Sequence, residues 1–245
     1  KKFQKATYKE SYYTVRSNIV RKIFTPIFIF FYFLRSAYVG FKRRDLWIDV
    51  GAGEGGYLKT VEARRKIGVE ISNSARKMME KIGIQAIDSA EFVKSKKLDA
   101  DVISFWQVLE HTDKPWQYLA AARRNLAKRG RIVIGVPNID SFEAKIFVDK
   151  WFHLAPKYHI WHFSPTSMTR LLKKTGFKIE KIDFWSVEHH LSGLIQSFIN
   201  KTAGSDNFLH KLIKRGVGQN KITLKNVLVS LFWLSLGLPI ILIIF

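Results

Sequence analysis

The residues best suited to chemistry in this 245-residue chain form the run Asp49-Val-Gly51-Ala-Gly53-Glu-Gly55-Gly56. The run follows a short apolar segment typical of a buried strand and opens a helical pattern. Glycines allow a sharp turn and let a ligand touch the main chain, and free N–H groups at a helix start favour a phosphate or a carboxylate. Glu70 ends the next predicted strand, where a carboxylate can accept both ribose hydroxyls of a nucleoside. These residues predict a nucleoside-binding edge.

The spacing of the glycines fits two different ligand sites. Gly51, Gly53 and Gly56 match G-x-G-x-x-G, the pattern of dinucleotide sites. Asp49, Gly51, Gly53 and Gly55 match D-x-G-x-G-x-G equally well. The glycine run alone leaves both readings open, so the rest of the predicted sheet has to decide between them.

The second pattern resembles the first motif of class I S-adenosylmethionine-dependent methyltransferases, and the resemblance covers about residues 45–190. The stretch VLEHTDKP at 108–115 is similar to the "VLEH…DP" stretch of one large subset of that family. The stretches GVPN at 135–138 and YHIWHFSP at 158–165 resemble the same subset. The resemblance implies an α/β fold with a doubly wound, mostly parallel, Rossmann-like sheet that has helices on both faces.

The resemblance also implies S-adenosyl-L-methionine as cofactor and a set of residues that bind it. Gln107 departs from the family pattern, because an acidic residue is common there. Physical reasoning favours the same cofactor, since a carboxylate at position 49 attracts a cationic sulfonium and would repel a pyrophosphate. The implied cofactor-binding residues are Asp49, Gly51, Ala52, Gly53, Gly55, Glu70, Ile71, Asp88, Ser89, Trp106 and Gln107.

Three histidines are candidates for catalysis. Methyl transfer is a displacement at carbon that depends on holding the acceptor in line, and a hydroxyl acceptor also benefits from a base. His111 follows the fourth predicted strand, and His159 and His162 lie after the fifth; each can be a base or a structural residue. The i, i+3 spacing of the last two resembles a metal pair, but no carboxylate joins them locally. We therefore predict no metal site.

The elements that must position these residues alternate along the chain between residues 45 and 190. Short β-branched runs separated by helical patterns are typical of a parallel α/β sheet covered on both faces. A segment at 140–163 rich in Phe, Trp and His is predicted to cover the acceptor. Strands are predicted at 45–51, 65–71, 82–88, 100–106, 131–137 and 177–187, and helices at 72–82, 116–129 and 165–175.

The composition restricts both chemistry and partners. The chain has no cysteine, which excludes disulfides, cysteine-ligated zinc, iron–sulfur clusters and thiol catalysis. Its formal net charge is +21, which favours anionic partners, either nucleic acid or acidic lipid. Because no zinc finger, RNP-type sequence or basic zipper is present and apolar segments stand beside the charges, lipid suits the pattern better.

Two apolar segments suggest a membrane. Residues 227–245 carry no charge and would reach roughly 28 Å as a helix, against ~30 Å for the hydrocarbon core. We expect a C-terminal hydrophobic membrane segment there, either spanning the bilayer or dipping into it, with a buried core helix as the alternative. The basic residues before it are expected on the cytoplasmic face. Residues 26–41 are interrupted by Arg35 and predict a helix that lies in the membrane interface or packs on the domain.

These observations combine into one hypothesis with alternatives. The expected organisation is a basic aromatic segment at 1–44, a methyltransferase core at 45–190, amphipathic basic helices at 191–226 and the membrane segment at 227–245. The expected activity is O-methylation of a lipid-linked, glycan or quinone-like molecule, at the cytoplasmic face of a membrane. The alternatives are an NAD(P)-dependent oxidoreductase, an RNA methyltransferase and a non-catalytic membrane adaptor.

Overall fold

The strands form one parallel sheet in a computed structural model that describes residues 18–40, 42–203, 207, 210 and 224–244. Within this part of the chain the strand order is β3-β2-β1-β4-β5, and every neighbouring pair is parallel. The predicted Rossmann-like sheet is therefore confirmed. Its strands are β1 (Arg44–Val50), β2 (Ala63–Val69), β3 (Gln85–Ile87), β4 (Ala100–Trp106) and β5 (Leu126–Gly135).

The sheet is buried on both faces because its central strand is apolar on both sides. Leu46, Ile48 and Val50 of β1 belong to one buried cluster, whereas Trp47 between them belongs to a second cluster. Alternate residues of a strand point to opposite faces, so the two clusters lie on opposite sides of the sheet. This double coverage explains the near-continuous apolar run in β1.

The helices connect the strands and cover the two clusters. Ser72 caps the helix after β2 and Asp88 caps the helix after β3, each by accepting a main-chain N–H. The helices are α1 (Asn18–Val39), α2 (Gly56–Thr60), α3 (Asn73–Lys81), α4 (Ser89–Lys94), α5 (Pro115–Asn125), α6 (Phe142–Phe147), α7 (Pro165–Lys174), α8 (Val187–Ala203) and α9 (Leu224–Ile244), with single 3-10 turns at 109–111, 148–150 and 152–154.

The predicted sixth strand at 177–187 is wrong. Residues 177–186 form neither strand nor helix, and α8 begins at Val187. Alternation of apolar and polar residues suggested a strand, but Ile182, Phe184 and Trp185 are exposed rather than paired with the sheet. Within the described residues the sheet therefore ends at β5.

The predicted C-terminal membrane segment is also wrong. Among the residues that the structure describes, none of the helices combines the length and the apolar content needed to cross a bilayer. The helix α9 packs on α8 instead, with Trp233 stacked on Phe198 at 4.2 Å between ring centroids and with Asn226 and Ser230 buried. Of the basic residues predicted before this segment, Lys201 and Lys225 are described, whereas residues 211–223 lie outside the described part of the chain, as do the first 17 residues.

Candidate functional site

The glycine run lies at the carboxyl end of β1, as its sequence context predicts. The N–H groups of Gly51 and Ala52 both donate to the carbonyl oxygen of Val69, at 2.8 and 3.1 Å, so the loop is fastened to the end of β2. Gly51, Gly53 and Gly55 have φ angles of +76°, +56° and +80°, in the left-handed region that favours glycine. This conformation carries the chain from β1 into α2 with its backbone exposed to a ligand.

The carboxylate of Glu70 anchors the glycine loop by hydrogen bonds. Its Oε2 accepts the N–H of Gly53 at 3.0 Å, and its Oε1 accepts the N–H of Ser72 at 3.0 Å. The side chain is buried, so both bonds form away from bulk water. A carboxylate offers about four acceptor positions, which leaves Glu70 capacity for the hydroxyls of a ribose.

Asp49 is a buried acid at the centre of the site. It is 4% exposed, and its Oδ1 accepts the hydroxyl of Ser104 at 2.6 Å. Burial raises the pKa of Asp49 to about 7, opposed by the Ser104 hydrogen bond and by the positive charge of Arg35, while the charge of Glu70 raises it further. A cationic ligand beside Asp49 would stabilise its ionised form.

Asp88 and its neighbours extend the edge to β3. Asp88 accepts the N–H of Ala90 at 2.8 Å and pairs with Arg76 at 3.0 Å. The same Arg76 Nη1 donates to the main-chain oxygens of Glu70 and Ile71, which joins the ends of β2 and β3. Ser89 begins α4 beside Asp88, and the Ile71 side chain is exposed.

Trp106 and Gln107 lie on the other side of Asp49, where β4 ends. Gln107 has a φ of +57°, uncommon for a residue with a side chain, and its N–H donates to the oxygen of Gly135 at 2.8 Å. A strained residue at a strand end is a recurring feature of binding sites. The predicted cofactor residues are thus brought together along the carboxyl edges of β3, β2, β1 and β4.

The helix α1 covers this edge through Arg35, which sequence reasoning did not assign to the site. The guanidinium lies 5.4 Å from the ring centroids of both Tyr32 and Trp106. It also forms two hydrogen bonds, of 2.9 and 2.6 Å, with Glu188 of α8. A charge that interrupts an apolar run was the only sequence signal for this role.

The three candidate histidines form a group where the turn at 109–111 meets the segment before α7. The rings of His111 and His159 lie 4.7 Å apart, and those of His159 and His162 lie 6.2 Å apart. Burial lowers the pKa of His159 to about 4, helped by the nearby rings of His111 and His162, so this ring is neutral at pH 7 and a weak base. That one of the three is a general base stays a prediction.

Glu110 is a further residue that sequence reasoning missed. Its side chain is 1% exposed, and its carbonyl oxygen accepts the N–H groups of Ile160 and Trp161 at 2.7 and 3.1 Å. Those bonds fasten the segment that carries His159 to the turn at 109–111. The sequence carried no clear signal for this burial, because acidic residues are mostly exposed.

The acids along this edge fit a nucleoside that carries a positive charge. Asp49, Glu70 and Asp88 supply negative charge at adjacent strand ends, and the bare loop backbone accommodates a closely approaching ligand. A diphosphate would meet three carboxylates and be repelled by them. The arrangement can therefore bind and orient a cationic nucleoside beside the histidine group.

Comparison with known proteins agrees with this geometry. Residues 32–182 match the family model described as "Methyltransferase domain". A curated protein of Methanocaldococcus jannaschii, the uncharacterized protein MJ1123, is 32% identical over 133 residues. That match covers 54% of this chain and 63% of the relative, so the chain spans less than two thirds of the relative's length.

Solved structures share the fold at low sequence identity. The YcgJ protein of Bacillus subtilis is 15% identical with a TM-score of 0.53, covering 64% of this chain and 71% of that chain. An SAM-dependent methyltransferase of Archaeoglobus fulgidus is 20% identical with a TM-score of 0.50, covering 75% and 92%. Magnesium protoporphyrin IX methyltransferase of Synechocystis, solved with bound SAH, is 14% identical with a TM-score of 0.51, covering 73% and 86%.

Proposed function

Because this chain belongs to the methyltransferase-domain family, we propose that it is an S-adenosylmethionine-dependent methyltransferase and that it methylates an oxygen of an apolar acceptor at an anionic membrane surface. The cofactor supplies an electrophilic methyl group on a positively charged sulfur. Asp49, Glu70 and the glycine loop would hold it, and the histidine group lies beside that edge. The proposal adds the cofactor, the acceptor class and the membrane surface to the family assignment.

The two faces of α1 carry the proposal. Tyr32, Arg35, Ser36 and Val39 follow the i, i+3, i+4, i+7 pattern of one helix face and pack over the cofactor edge. Phe30 and Phe33 lie outside that face and are at least half exposed, and Ile29 near the start of the stripe is half exposed as well. The helix that covers the cofactor therefore presents an apolar surface outward, which suits a helix lying in a lipid interface.

The charge of the chain supports a lipid partner for that surface. The formal net charge is +21, and Lys42 and Arg43 directly after α1 are exposed. Basic residues beside an exposed apolar face favour anionic lipid, which is concentrated in the cytoplasmic leaflet. An enzyme held there would meet lipid-linked or quinone-like acceptors at their own location.

The surface around the histidine group supports an apolar acceptor. Tyr158, Ile160 and Trp161 of the segment that carries His159 are exposed apolar side chains. Aromatic rings of this kind contact a ring, a sugar face or a prenyl chain well. The imidazole of His159, which is neutral at pH 7, lies in the same segment.

Membrane binding is tested by cosedimentation with vesicles. The chain is expected to bind vesicles of phosphatidylcholine mixed with phosphatidylglycerol, and much less to phosphatidylcholine alone. Replacing Phe30 and Phe33 together by serine is expected to weaken binding about tenfold or more, because each buried Phe contributes roughly 1.5–3 kcal/mol. Phe142→Ser is the matched control, since Phe142 is another highly exposed Phe that lies away from α1.

Equal loss of vesicle binding in the control and in the α1 variant would contradict the proposed surface. Raising the salt concentration should also weaken binding, because the Debye length falls from ~10 Å at 0.1 M to ~3 Å at 1 M. The acceptor is sought with the same vesicles, by following label from S-adenosylmethionine into lipid, glycan and RNA fractions. Label in RNA alone would refute an apolar acceptor.

Asp49 predicts a pH dependence of cofactor binding. Its folded-state pKa of about 7 lies above the usual value, so lowering the pH protonates it and removes the charge that attracts the cationic cofactor. The affinity for S-adenosylmethionine is expected to rise about fivefold from pH 6 to pH 7, a range in which an α-amino group stays charged. Calorimetric titration at both pH values measures the change.

The variant Asp49→Asn should remove this pH dependence. Asp45→Asn is the control, because Asp45 lies on the same strand at its opposite end and is exposed. If the slope persists in Asp49→Asn, another group titrates and the assignment to Asp49 fails.

A further inference from the structure

Three potential metal ligands meet where two separate segments are joined. Glu110 and His111 lie in the turn at 109–111, and His159 lies in the segment before α7. One ligand atom from each of the three lies within 4.8 Å of the others. The hydrogen bonds from Ile160 and Trp161 to the oxygen of Glu110 hold the two segments in this register. The backbone therefore holds together the two segments that carry the cluster.

The carboxylate of Glu110 is suited to pairing with a cation. The side chain is 1% exposed, and neither of its oxygens has a hydrogen-bond partner among the residues that the structure describes. Burying an uncompensated carboxylate is costly, and buried charges are normally paired or coordinate a metal. A bound cation would offset that cost.

Both imidazoles have the tautomer that a metal ligand needs. Nδ1 of His111 lies 3.0 Å from the carbonyl oxygen of Tyr158, and Nδ1 of His159 lies 2.7 Å from that of His153. A carbonyl only accepts, so each Nδ1 carries the proton and each Nε2 carries the lone pair. A second-shell carbonyl that orients the ring in this way accompanies most metal-binding histidines.

We propose that Glu110, His111 and His159 form a site for one divalent transition-metal ion, for which Zn²⁺ is the best fit. Two imidazole nitrogens and one carboxylate oxygen are a ligand set that Zn²⁺ uses when it keeps a position for water. Mg²⁺ and Ca²⁺ prefer oxygen ligands throughout, so the nitrogens disfavour them. This site goes beyond the proposed function and replaces the sequence-based prediction of no metal.

The metal would join the turn after β4 to the segment that carries His159. A histidine that coordinates a cation through Nε2 cannot accept a proton there, so metal binding excludes a general-base role for His111 and His159. It leaves His162 unaffected, because His162 is not one of the three ligands.

Direct metal binding tests the site without reference to methyl transfer. A chain without a polyhistidine tag is stripped with EDTA and titrated with ZnCl₂ by calorimetry. One equivalent of Zn²⁺ is expected to bind and to raise the melting temperature. Glu110→Gln keeps the side-chain shape and removes the charge, and it is expected to weaken Zn²⁺ binding by a hundredfold or more, as is His159→Ala, since even second-shell changes cost about 10–100-fold.

His162→Ala is the matched control, and it should bind Zn²⁺ as the unmodified chain does. Binding that is unchanged in Glu110→Gln and His159→Ala would assign Zn²⁺ to surface histidines and overturn the proposal. Co²⁺ provides a measurement on the unmodified chain. The strong visible absorption of four- or five-coordinate Co²⁺ supports the site, and the weak absorption of a six-coordinate surface ion refutes it.

Discussion

Replacing Gly51 by alanine is expected to abolish cofactor binding at ordinary concentrations and to destabilise the fold by roughly 2–5 kcal/mol. A Cβ on Gly51 would lie 2.3 Å from Cγ2 of Val108, well inside contact distance. The residue also has a φ of +76°, which an L side chain adopts only at a cost. Either the loop or the start of the turn at 109–111 has to move. Chemical denaturation and calorimetry with S-adenosylmethionine measure the two effects.

The variant Gly83→Ala separates backbone strain from the steric clash with Val108. Gly83 has the same φ of +76°, but a Cβ added there would have nothing within 4 Å. Gly83→Ala should therefore cost only the backbone strain, roughly 1–2 kcal/mol, and leave cofactor affinity unchanged. Adding Val108→Ala to Gly51→Ala should restore part of the lost stability, since it removes the clashing methyl group. If Gly51→Ala and Gly83→Ala are equally stable and both bind cofactor, the close approach to Val108 is not what the loop requires.

The second large effect is expected from Glu70→Gln. The carboxylate accepts main-chain N–H groups at both oxygens, whereas a glutamine has only one acceptor oxygen. The side-chain NH₂ group of the glutamine would face the N–H of Gly53 or of Ser72, which would leave a buried donor without an acceptor. We expect a loss of roughly a hundredfold in affinity for S-adenosylmethionine, about 2.7 kcal/mol, because hydrogen bonds to charged groups contribute about 1.5–3 kcal/mol each.

Glu62→Gln is the matched control for this substitution. Glu62 is exposed and directly precedes β2, whereas Glu70 directly follows it, so the two acids lie at opposite ends of one strand. The control should keep full affinity. Circular dichroism establishes that both variants are folded, and calorimetry gives the dissociation constants. A folded Glu70→Gln that binds as tightly as the unmodified chain would remove Glu70 from the cofactor site.

Arg35 links α1 both to α8 and to the cofactor edge. Arg35 contacts Glu188, which is 153 residues away in the sequence, and lies over Trp106 at the end of β4. Two segments that flank the methyltransferase core are thus joined across its cofactor edge. The glycine loop could be recognised from the sequence because its strand, its loop and its acid are close together in the chain. The pairing of Arg35 with Glu188 could not, because the two residues are 153 positions apart.

Three features were predictable from the sequence: the parallel sheet, the glycine loop at the end of β1, and the placement of Asp49, Glu70 and Asp88 at adjacent strand ends. Those features follow from local periodicity and from the rule that parallel strands place their carboxyl ends at one edge. Three other features became visible only in the folded structure. Residues 177–186 lie outside the sheet, α9 packs on α8, and Glu110 lies close to His159. These features depend on contacts between segments that are distant in the sequence. Hydrophobic periodicity shows which residues are apolar, but it does not show which other segment packs against them.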